Sequence, residues 1–335
     1  MYKVRFLKGV FLMKFGIIGA GGIAVWMAKT LAPMPEAETY AIAARDLARA
    51  EAFAKEYGFE KAYGSYEELV SDPEVEVVYI ATPHSHHFEH AKLAMEHGKH
   101  VLCEKAFTMN VSQTEELFRI AEENHVLITE AIWTRYMPSR RIINELLAEG
   151  AIGEVKTLTA NLSYRICQNE RIIRPELAGG ALLDITIYPL NFALMHFGND
   201  YQSLSSTVLM TDTGVDGQEC ITMTWSDGKF AVLNSSIYGE SDRQGIFYGT
   251  SGYMIVDNVN DPLNIDIYDA SHHLVRHIDL PEQNTGYEYE VREVIDCVQK
   301  GAMECPSMPH EETLRVMRIM DGIRQEWGLV YPQEK

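Results

Sequence analysis

The chain has 335 residues, of which 46% are apolar and 23% are charged, and its formal net charge at pH 7 is −19. This composition is that of a globular protein with a substantial core, and the length favours two domains over one. The negative charge argues against nucleic acids and anionic membrane surfaces as partners, because both attract basic patches. These features favour a protein that binds small molecules.

Cysteine usage and apolar runs narrow the class further. The five cysteines never occur in CxxC spacing, which favours free thiols in the cytoplasm over a disulfide framework or a zinc ribbon. No apolar run approaches the ~18 residues that a membrane span requires. Residues 1–12 are basic and apolar, and Met13 stands directly before a predicted strand, so we interpret residues 1–12 as a non-native N-terminal extension.

Residues 13–135 alternate between strand and helix patterns. The strand patterns are KFGIIG, ETYAIAA, VEVVYIAT, HVLC and VLITEAIW, and the helix patterns among them are GIAVWMAKTLAPM, DLARAEAFAKEYG, SYEELVSD, SHHFEHAKLAMEHG and NVSQTEELFRIAEENH. Strands rich in Val and Ile that alternate with helices predict an α/β domain with a doubly wound parallel sheet.

Residues 136–335 follow a different rhythm. Most segments between residues 155 and 275 are typical of alternating strands, and WSDGKF predicts a hairpin with Asp-Gly at its turn. Two helices are predicted near residues 287–300 and 310–327. We therefore expect a C-terminal α+β domain with a large, open and mainly antiparallel sheet.

The first predicted strand leads into a glycine-rich turn, GIIGAGGIA. Gly19, Gly21 and Ala24 match the pattern G-x-G-x-x-G/A, in which the glycines allow a tight turn and close approach to a pyrophosphate. The helix that follows presents unpaired N–H groups to phosphates. This context predicts a dinucleotide-binding Rossmann domain. The expected cofactor contacts here are Gly19, Ala20, Gly21, Gly22 and Ile23.

The second predicted strand ends in AIAARD, with Arg45 at its tip. Proteins that bind NAD usually carry an acid at this place to hold the ribose 2′-hydroxyl. A guanidinium instead suits a 2′-phosphate, because it forms charge-assisted bidentate hydrogen bonds. We expect Asp46 to cap the next helix. The sequence therefore predicts NADP as the cofactor in preference to NAD.

With these residues in place, the chain resembles the Gfo/Idh/MocA family of NAD(P)-dependent oxidoreductases. Within that family it is most similar to the dimeric dihydrodiol dehydrogenase branch, also described as NADP-dependent D-xylose dehydrogenases. The resemblance runs from residue 14 to the C-terminus and rests on GIIGAGGIA, AARDLARAEAFAKEYG, KAYGSYEELVSDPEVEVVYIATPHSHH, VLCEKA, TEAIWTRYMP and GGALLDITIYPL. It implies a Rossmann domain over residues 13–135 and a domain for substrate binding and dimerisation over residues 136–335.

The stretch HVLCEKAF places Glu104 and Lys105 at the end of a buried strand. Buried charges are costly unless they are paired or used. The family signature here is Glu-Lys-Pro, and the resemblance implies that Glu104 and Lys105 adjoin the cofactor and that Lys105 reaches the substrate hydroxyl. Ala106 replaces the family proline and leaves this loop freer, so the direction of Lys105 is open at this stage.

The segment GGALLDITIYPL supplies a second pair of polar residues. Asp184 and Tyr188 are four residues apart and would share one face of a helix. Most members of the family have His at the second position, whereas the dihydrodiol dehydrogenase branch has Tyr. The resemblance implies that Tyr188 accepts the substrate proton and that Asp184 orients the substrate or Lys105. We expect the Lys105 ammonium to lower the pKa of the phenol, which is ~10 when unperturbed.

The histidine-rich stretch PHSHHFEH can be interpreted as a metal site or as part of the cofactor site. Two histidines on one helix need further ligands to close a zinc site, and no other segment offers them at a suitable spacing, so we predict no metal. The resemblance instead assigns residues of this stretch and of TEAIWTRYMP to the cofactor site. These are Thr82, Pro83, His84, His87, Trp133 and Arg135.

The resemblance implies hydride transfer between the nicotinamide and a secondary alcohol or carbonyl of a sugar, a polyol or a cyclic dihydrodiol. Two alternatives stay open at this stage. One is an oxidoreductase that keeps NADP bound and passes hydride between two sugars. The other is a regulatory protein that binds NADP without turnover. Only the replacement of the family proline by Ala106 favours this alternative. We also expect a homodimer, because an open sheet with one uncovered face tends to bury it against a second copy.

Overall fold

The computed structural model describes residues 12–335. The predicted N-terminal extension, apart from its last residue, lies outside the described residues. Six strands form a parallel sheet: β1 (Met13–Ile18), β2 (Ala37–Ala43), β3 (Lys61–Tyr63), β4 (Val77–Ile80), β5 (His100–Glu104) and β6 (Ile128–Ala131). Their order is β3-β2-β1-β4-β5-β6, which confirms the doubly wound Rossmann sheet. Only the three-residue β3 was not predicted.

Five helices connect these strands: α1 (Gly22–Leu31), α2 (Leu47–Tyr57), α3 (Tyr66–Ser71), α4 (His87–Glu96) and α5 (Val111–Asn124). Side chains cap the free N–H groups at the start of three of them. Asp46 caps α2 as predicted, Ser65 forms a capping box with Glu68 at α3, and Asn110 caps α5. These caps fix where α2, α3 and α5 begin.

A second sheet has eight strands: β7 (Val155–Ser163), β8 (Tyr201–Met210), β9 (Asp216–Trp225), β10 (Phe230–Ser236), β11 (Gly245–Gly249), β12 (Gly252–Val256), β13 (Asn264–Asp269) and β14 (Leu274–Asp279). Their order is β14-β13-β12-β11-β7-β10-β9-β8, and only β7 and β10 pair in parallel. The mainly antiparallel sheet and the β9–β10 hairpin are therefore confirmed. The boundary between domains at residue 135 stays a prediction.

The remaining helices are α6 (Pro138–Ala148), α7 (Glu170–Ile173), α8 (Ile187–Phe197), α9 (Glu288–Gln299) and α10 (His310–Trp327), so the two predicted terminal helices are confirmed. A π-helical turn, Leu182–Thr186, leads into α8. One face of the sheet is buried, for example at Leu158, Leu233 and Phe247. The opposite face stays half-buried or exposed and carries few charges.

The stretch 175–197 corrects one sequence-based expectation. Its most apolar 18 residues have a mean hydropathy of 1.4, so it is long and apolar enough to cross a membrane by composition alone. However, 94% of that window is buried inside the protein. The stretch therefore packs as the core of the C-terminal half, and α8 lies against β7 and β10.

Candidate active site

A cavity of about 820 Å³ lies where the two halves of the chain meet. On the N-terminal side it is bounded by the carboxyl ends of β1, β2, β4 and β5. Because β1 lies between β2 and β4, this is the topological switch point at which doubly wound sheets bind ligands. On the C-terminal side the lining comes from the segments after β7 and β12, the π-helical turn, the start of α8 and the residue before α9.

The glycine-rich turn forms one wall with open space in front of it. Gly19 has a φ of +101°, and a Cβ there would lie 2.8 Å from the Ala81 carbonyl oxygen, so only glycine fits. A Cβ at Gly21 or Gly22 would meet nothing within 4 Å. Gly21 is the N-cap residue of α1, and no side chain accepts a hydrogen bond from the N–H groups at the start of that helix. The free N–H groups and the open cradle fit a dinucleotide pyrophosphate.

Two arginines lie at the end of β2. Arg45 and Arg49 are exposed and both line the cavity, and Arg49 Nη2 donates to the Ala20 carbonyl oxygen over 2.6 Å. Asp46 lies between them, but its Oδ1 accepts from the Ala48 N–H over 3.0 Å as the cap of α2. The cationic groups therefore face the cavity while the nearby carboxylate is engaged by the helix. Sequence reasoning missed Arg49, which lies in the first turn of α2, whereas Arg45 lies just before the cap of that helix.

Lys105 and Asp184 bring the two halves of the chain into direct contact. Lys105 Nζ donates to the Asp184 backbone oxygen over 2.6 Å and to Asp184 Oδ1 over 3.1 Å. Both side chains are largely buried. The peptide bond between Lys105 and Ala106 is cis. The two hydrogen bonds show that Lys105 points to Asp184 with Ala106 in place of the family proline.

Asp184 lies in the π-helical turn, which runs without a break into α8, so Asp184 and Tyr188 line the cavity from one continuous helical stretch. The turn is held from below by a buried carboxylate, because Asp216 Oδ2 accepts from the Leu182 N–H over 2.5 Å. Single π-helical turns occur frequently at functional sites. Tyr188 follows in the first turn of α8, and its ring centroid lies 5.2 Å from Lys105 Nζ.

Asp184 has a second cationic partner that sequence reasoning missed. Arg171 Nη1 donates to Asp184 Oδ1 over 2.8 Å, and Arg171 Nη2 donates to Asp184 Oδ2 over 3.2 Å. Burial alone would raise the pKa of Asp184, but Lys105 and Arg171 together hold it well below its usual range. Asp184 is therefore ionised at neutral pH.

Tyr188 is buried, and its hydroxyl oxygen accepts from Trp133 Nε1 over 3.2 Å. Burial raises the pKa of Tyr188 well above 10, with further contributions from Tyr287 and Glu104. The expectation that the pKa of Tyr188 falls below its usual value is therefore wrong, because the burial of the phenol has the larger effect, although Lys105 faces the ring. At neutral pH Tyr188 is a neutral phenol, which is a proton donor.

Glu104 lies beneath this cluster and lines the cavity. It accepts a short hydrogen bond from the Tyr79 hydroxyl, and burial raises its pKa to about 7, against the opposing effect of Lys105. Glu290 on α9 is fully buried, and neither of its carboxyl oxygens has a hydrogen-bond partner. Burial and the proximity of Glu104 raise its pKa well above its usual value, so Glu290 holds a proton.

The far wall combines aromatic rings with amides. Tyr164 and Asn260 line the cavity together, and the Tyr164 hydroxyl donates to Asn260 Oδ1 over 3.4 Å. Asn169 lies beside them, and Tyr287 stacks on Trp133 with ring centroids 4.4 Å apart. Rings and amides of this kind bind hydroxylated rings by stacking and hydrogen bonds. The four lining residues of this wall were not predicted, because they come from distant segments: Tyr164, Asn169, Asn260 and Tyr287.

Comparison with known proteins places this site in a family. Residues 13–132 match the profile of the Gfo/Idh/MocA oxidoreductase family with its NAD-binding Rossmann fold, and residues 141–255 match the Gfo/Idh/MocA C-terminal domain. The trans-1,2-dihydrobenzene-1,2-diol dehydrogenase of Danio rerio is 34% identical over 330 residues, which cover 96% of this chain and 99% of the relative. The chain belongs to the Gfo/Idh/MocA family. The Homo sapiens dehydrogenase of the same name is 32% identical over 335 residues, with coverages of 96% and 99%.

Solved structures agree with this assignment. A 3-ketoreductase from Actinomadura kijaniata, in complex with NADP and TDP-benzene, superposes with a TM-score of 0.86 at 27% identity, over 94% of this chain and 97% of that one. Levoglucosan dehydrogenase in complex with NADH and L-sorbose has a TM-score of 0.83 at 18% identity, over 94% and 96%, which shows the shared fold. This Gfo/Idh/MocA chain is an enzyme, an NAD(P)-dependent oxidoreductase.

Most of the residues predicted for the site of this Gfo/Idh/MocA enzyme line the cavity. They are Gly19, Ala20, Gly21, Gly22, Ile23, Arg45, Thr82, Pro83, His84, Glu104, Lys105, Asp184 and Tyr188. Three predicted cofactor residues lie behind the cavity lining instead: His87, Trp133 and Arg135.

Each of these three has a buried structural role. His87 places its two ring nitrogens 2.8 Å from the carbonyl oxygens of Thr82 and Ala106, and so joins the loops after β4 and β5. Trp133 supports Tyr188 from behind. Arg135 turns into the interior, where its Nε donates to Asn191 Oδ1 over 2.6 Å and its Nη1 donates to Glu312 Oε2 over 3.1 Å. The assignment of Arg135 to the cofactor is therefore corrected to a core ion pair.

His84 does line the cavity, close to Asp184. Its Nε2 lies 3.9 Å from Asp184 Oδ1, and its Nδ1 lies 3.0 Å from the Ala178 carbonyl oxygen. Burial lowers the pKa of His84 to about 3, despite the opposing effect of Asp184. The ring is therefore neutral at physiological pH and adds no positive charge. No group of three or more possible metal ligands occurs within residues 12–335.

Proposed function

We propose that this enzyme uses NADP to oxidise a secondary alcohol of a sugar, a polyol or a cyclic dihydrodiol, or to reduce the matching carbonyl. The observation that carries the proposal is the meeting of Lys105, Asp184 and Tyr188 in one cavity, between the glycine-rich cradle and a wall of tyrosines and asparagines. The names of the relatives, which are dihydrodiol dehydrogenases and a 3-ketoreductase, are consistent with this class of substrate.

The preference for NADP rests on charge at the end of β2. Arg45 and Arg49 present two guanidinium groups to the cavity, and guanidinium groups bind a phosphate with charge-assisted hydrogen bonds. The carboxylate that would suit a free ribose hydroxyl, Asp46, is engaged as the cap of α2. A 2′-phosphate would therefore find two cations here, whereas the carboxylate of Asp46, which also lines the cavity, is engaged by the helix through its Oδ1.

The bound nicotinamide would supply or accept the hydride. The residues of the chain would handle the proton and the charge. As a neutral phenol, Tyr188 would donate its proton to the carbonyl oxygen during reduction, and as a phenolate it would take the proton back during oxidation. Lys105 would stabilise negative charge on the same oxygen, and Asp184 holds Lys105 in place. The substrate would lie against Tyr164, where amides reach its other hydroxyl groups.

The test is turnover followed by removal of each group. The wild type should reduce NADP+ with members of a panel of pentoses, hexoses, inositols and cyclic diols, and should use NAD+ less well. Tyr188→Phe keeps the ring and should lower kcat by ~10²–10⁴-fold, the usual range for general acid–base catalysis. Lys105→Met should also lower kcat, and the double variant should be much less impaired than the product of the single effects.

The matched control is Tyr201→Phe, because Tyr201 lies on β8 and does not line the cavity. It should keep the wild-type kcat. A Tyr188→Phe enzyme with wild-type kcat on a good substrate would contradict the proposal. Binding of NADP without turnover of any compound in the panel would favour a regulatory protein instead.

We further propose that the enzyme is a cytoplasmic homodimer that pairs through the outer face of the eight-stranded sheet. All five cysteines are free thiols, as suits a reducing compartment. On the outer face, uncharged side chains line up across five strands in register and stay only half-buried: Thr222, Val232, Thr159, Ile246 and Ile255. Such a surface favours burial against a second copy.

A further inference from the structure

The carboxylate of Asp184 is held mainly by Arg171. Of the three hydrogen bonds that reach its two oxygens from Arg171 and Lys105, Arg171 donates two and Lys105 donates one. The shortest bond of Lys105 goes to the Asp184 backbone oxygen instead. Among residues 12–335, Arg171 alone donates a hydrogen bond to Asp184 Oδ2. Arg171 and Lys105 therefore compensate the negative charge of this buried group together, and Arg171 supplies most of the hydrogen bonds to its carboxylate.

Arg171 is fixed in position by its own segment. It belongs to the single turn α7, where the Asn169 side chain accepts from the Arg171 N–H over 3.1 Å. Ile172 is fully buried and anchors the turn. The Gly180 N–H donates to the Ile172 carbonyl oxygen over 2.8 Å, which ties α7 to the start of the π-helical turn. The guanidinium is therefore preorganised toward Asp184, with 39% of its side chain exposed to the cavity.

The titratable groups around Asp184 come from four parts of the fold: β5 and the loop after it, α7, the loop after β4, and α8. Lys105 follows β5, Arg171 lies on α7, and neutral His84 follows β4. Glu104 and the Tyr188 phenol complete the titratable groups that Arg171 influences. Lys105 and Arg171 carry two positive charges against the one negative charge of Asp184. An ion pair of Lys105 and Asp184 alone would instead be neutral, and a neutral pair stabilises an anionic oxygen less well.

We propose that Arg171 is a positioning residue for hydride transfer: it holds Asp184 by two hydrogen bonds, so that the ammonium of Lys105 is left with positive charge to present to the substrate oxygen and to Tyr188. This inference rests on the proposed function, because it concerns the same proton transfer. It adds a residue from the C-terminal half that acts through Asp184 and contacts no reacting atom. The proposal also predicts that the side chain at position 171 determines how well the enzyme stabilises an alkoxide.

The first measurement compares kcat and KM across pH for Arg171→Met, Arg171→Lys and the control Arg174→Met. Arg174 lies three residues away, is exposed, and forms its one ion pair within the described part of the chain with Glu170. Arg171→Met should lower kcat by roughly tenfold to a hundredfold, the range for one lost charge-assisted interaction, with little change in KM for NADP+. The rise of kcat with pH during oxidation should move to higher pH, because a phenol that loses a nearby cation ionises less readily.

Arg171→Lys should recover part of the loss, and Arg174→Met should match the wild type. Since Arg171 acts through Asp184, adding Arg171→Met to Asp184→Asn should cost little further kcat. Wild-type kcat in Arg171→Met, a loss of kcat without a shift in the pH at which kcat rises, or full additivity with Asp184→Asn would each overturn the proposal.

A second measurement does not depend on turnover. In a ¹³C spectrum of the aspartate side-chain carboxyls, the Asp184 signal is the one absent from Asp184→Asn. It should titrate far below the usual range in the wild type and at clearly higher pH in Arg171→Met, but not in Arg174→Met. An unchanged titration would overturn the proposal even if no substrate were found. Absence of turnover in the wild type with the expected titration would instead count against the proposed function alone.

Discussion

The indole of Trp133 offers a way to measure the charge that develops on Tyr188. Its Nε1 donates to the Tyr188 hydroxyl oxygen over 3.2 Å, and it is the hydrogen bond that lowers the Tyr188 pKa against the effect of burial. Trp133→Phe removes this donor and keeps an aromatic ring against Tyr287. A phenolate loses more from this change than a phenol, so the pKa of Tyr188 should rise further.

The size of the shift follows from the geometry. A hydrogen bond to a charged group contributes about 1.5–3 kcal/mol, and at 3.2 Å the bond is at the long end of the normal range, so the lower value applies. One pKa unit corresponds to about 1.4 kcal/mol, and the apparent pKa in the kcat profile should rise by about one unit. Below that pKa, kcat should fall by up to about tenfold, because the proton is only partly transferred in the transition state.

The assay is kcat for alcohol oxidation as a function of pH, in wild type and in two tryptophan variants. The matched control is Trp225→Phe, since Trp225 is also buried and its Nε1 donates over 2.9 Å to the Gly198 carbonyl oxygen, outside the cavity lining. Trp225→Phe should have the same dependence of kcat on pH as the wild type. A Trp133→Phe enzyme whose apparent pKa equals that of the wild type would show that the indole does not stabilise charge on Tyr188.

Three further predictions concern the cofactor, the assembly and the fold. Arg45→Ala should weaken NADP binding by about tenfold to a hundredfold in a fluorescence titration and leave NAD binding nearly unchanged. Equal losses of affinity for the two cofactors would show that Arg45 does not bind the 2′-phosphate. Val232→Arg places a charge on the outer face of the sheet and should shift sedimentation equilibrium toward monomer; a wild type that is monomeric at micromolar concentration would contradict the dimer. Arg324→Met should lower the free energy of unfolding by about 3–5 kcal/mol, measured by urea denaturation, because it leaves the largely buried Asp321 and Glu334 without their cation. Arg318→Met on the same helix, where the ion pair is exposed, should change it little.

The N-terminal half of the fold could be read from the sequence because its signals are local. Runs of Val and Ile, caps such as Asp46 and the glycine-rich turn each depend on a few neighbouring residues. The three-residue β3 has too few residues to show any period. The parallel pairing of β7 with β10 depends on contacts between strands about 70 residues apart, and alternation within each strand says nothing of its partner.

The site was predicted where motifs supplied it and missed where distant contacts did. Arg171 belongs to a short turn with no pattern of its own, and only the folded chain shows that it reaches Asp184. The π-helical turn depends on Asp216, which lies more than thirty residues further along the chain. Arg135 was assigned to the cofactor by its motif, but the sequence does not tell which way a short turn after a strand will face.

The contact between Lys105 and Asp184 has a consequence for recombination between related enzymes. The two residues are 79 positions apart, and the two family profiles that the chain matches meet between residues 132 and 141. A crossover placed in that interval would inherit the lysine from one parent and its aspartate, arginine and tyrosine partners from the other. Chimeras from parents with different residues at position 188 would then combine a lysine with partners that were never selected together with it. Grafting Tyr164, Asn169 and Asn260, which all lie on the same side of the crossover, would exchange the substrate wall and leave that contact intact.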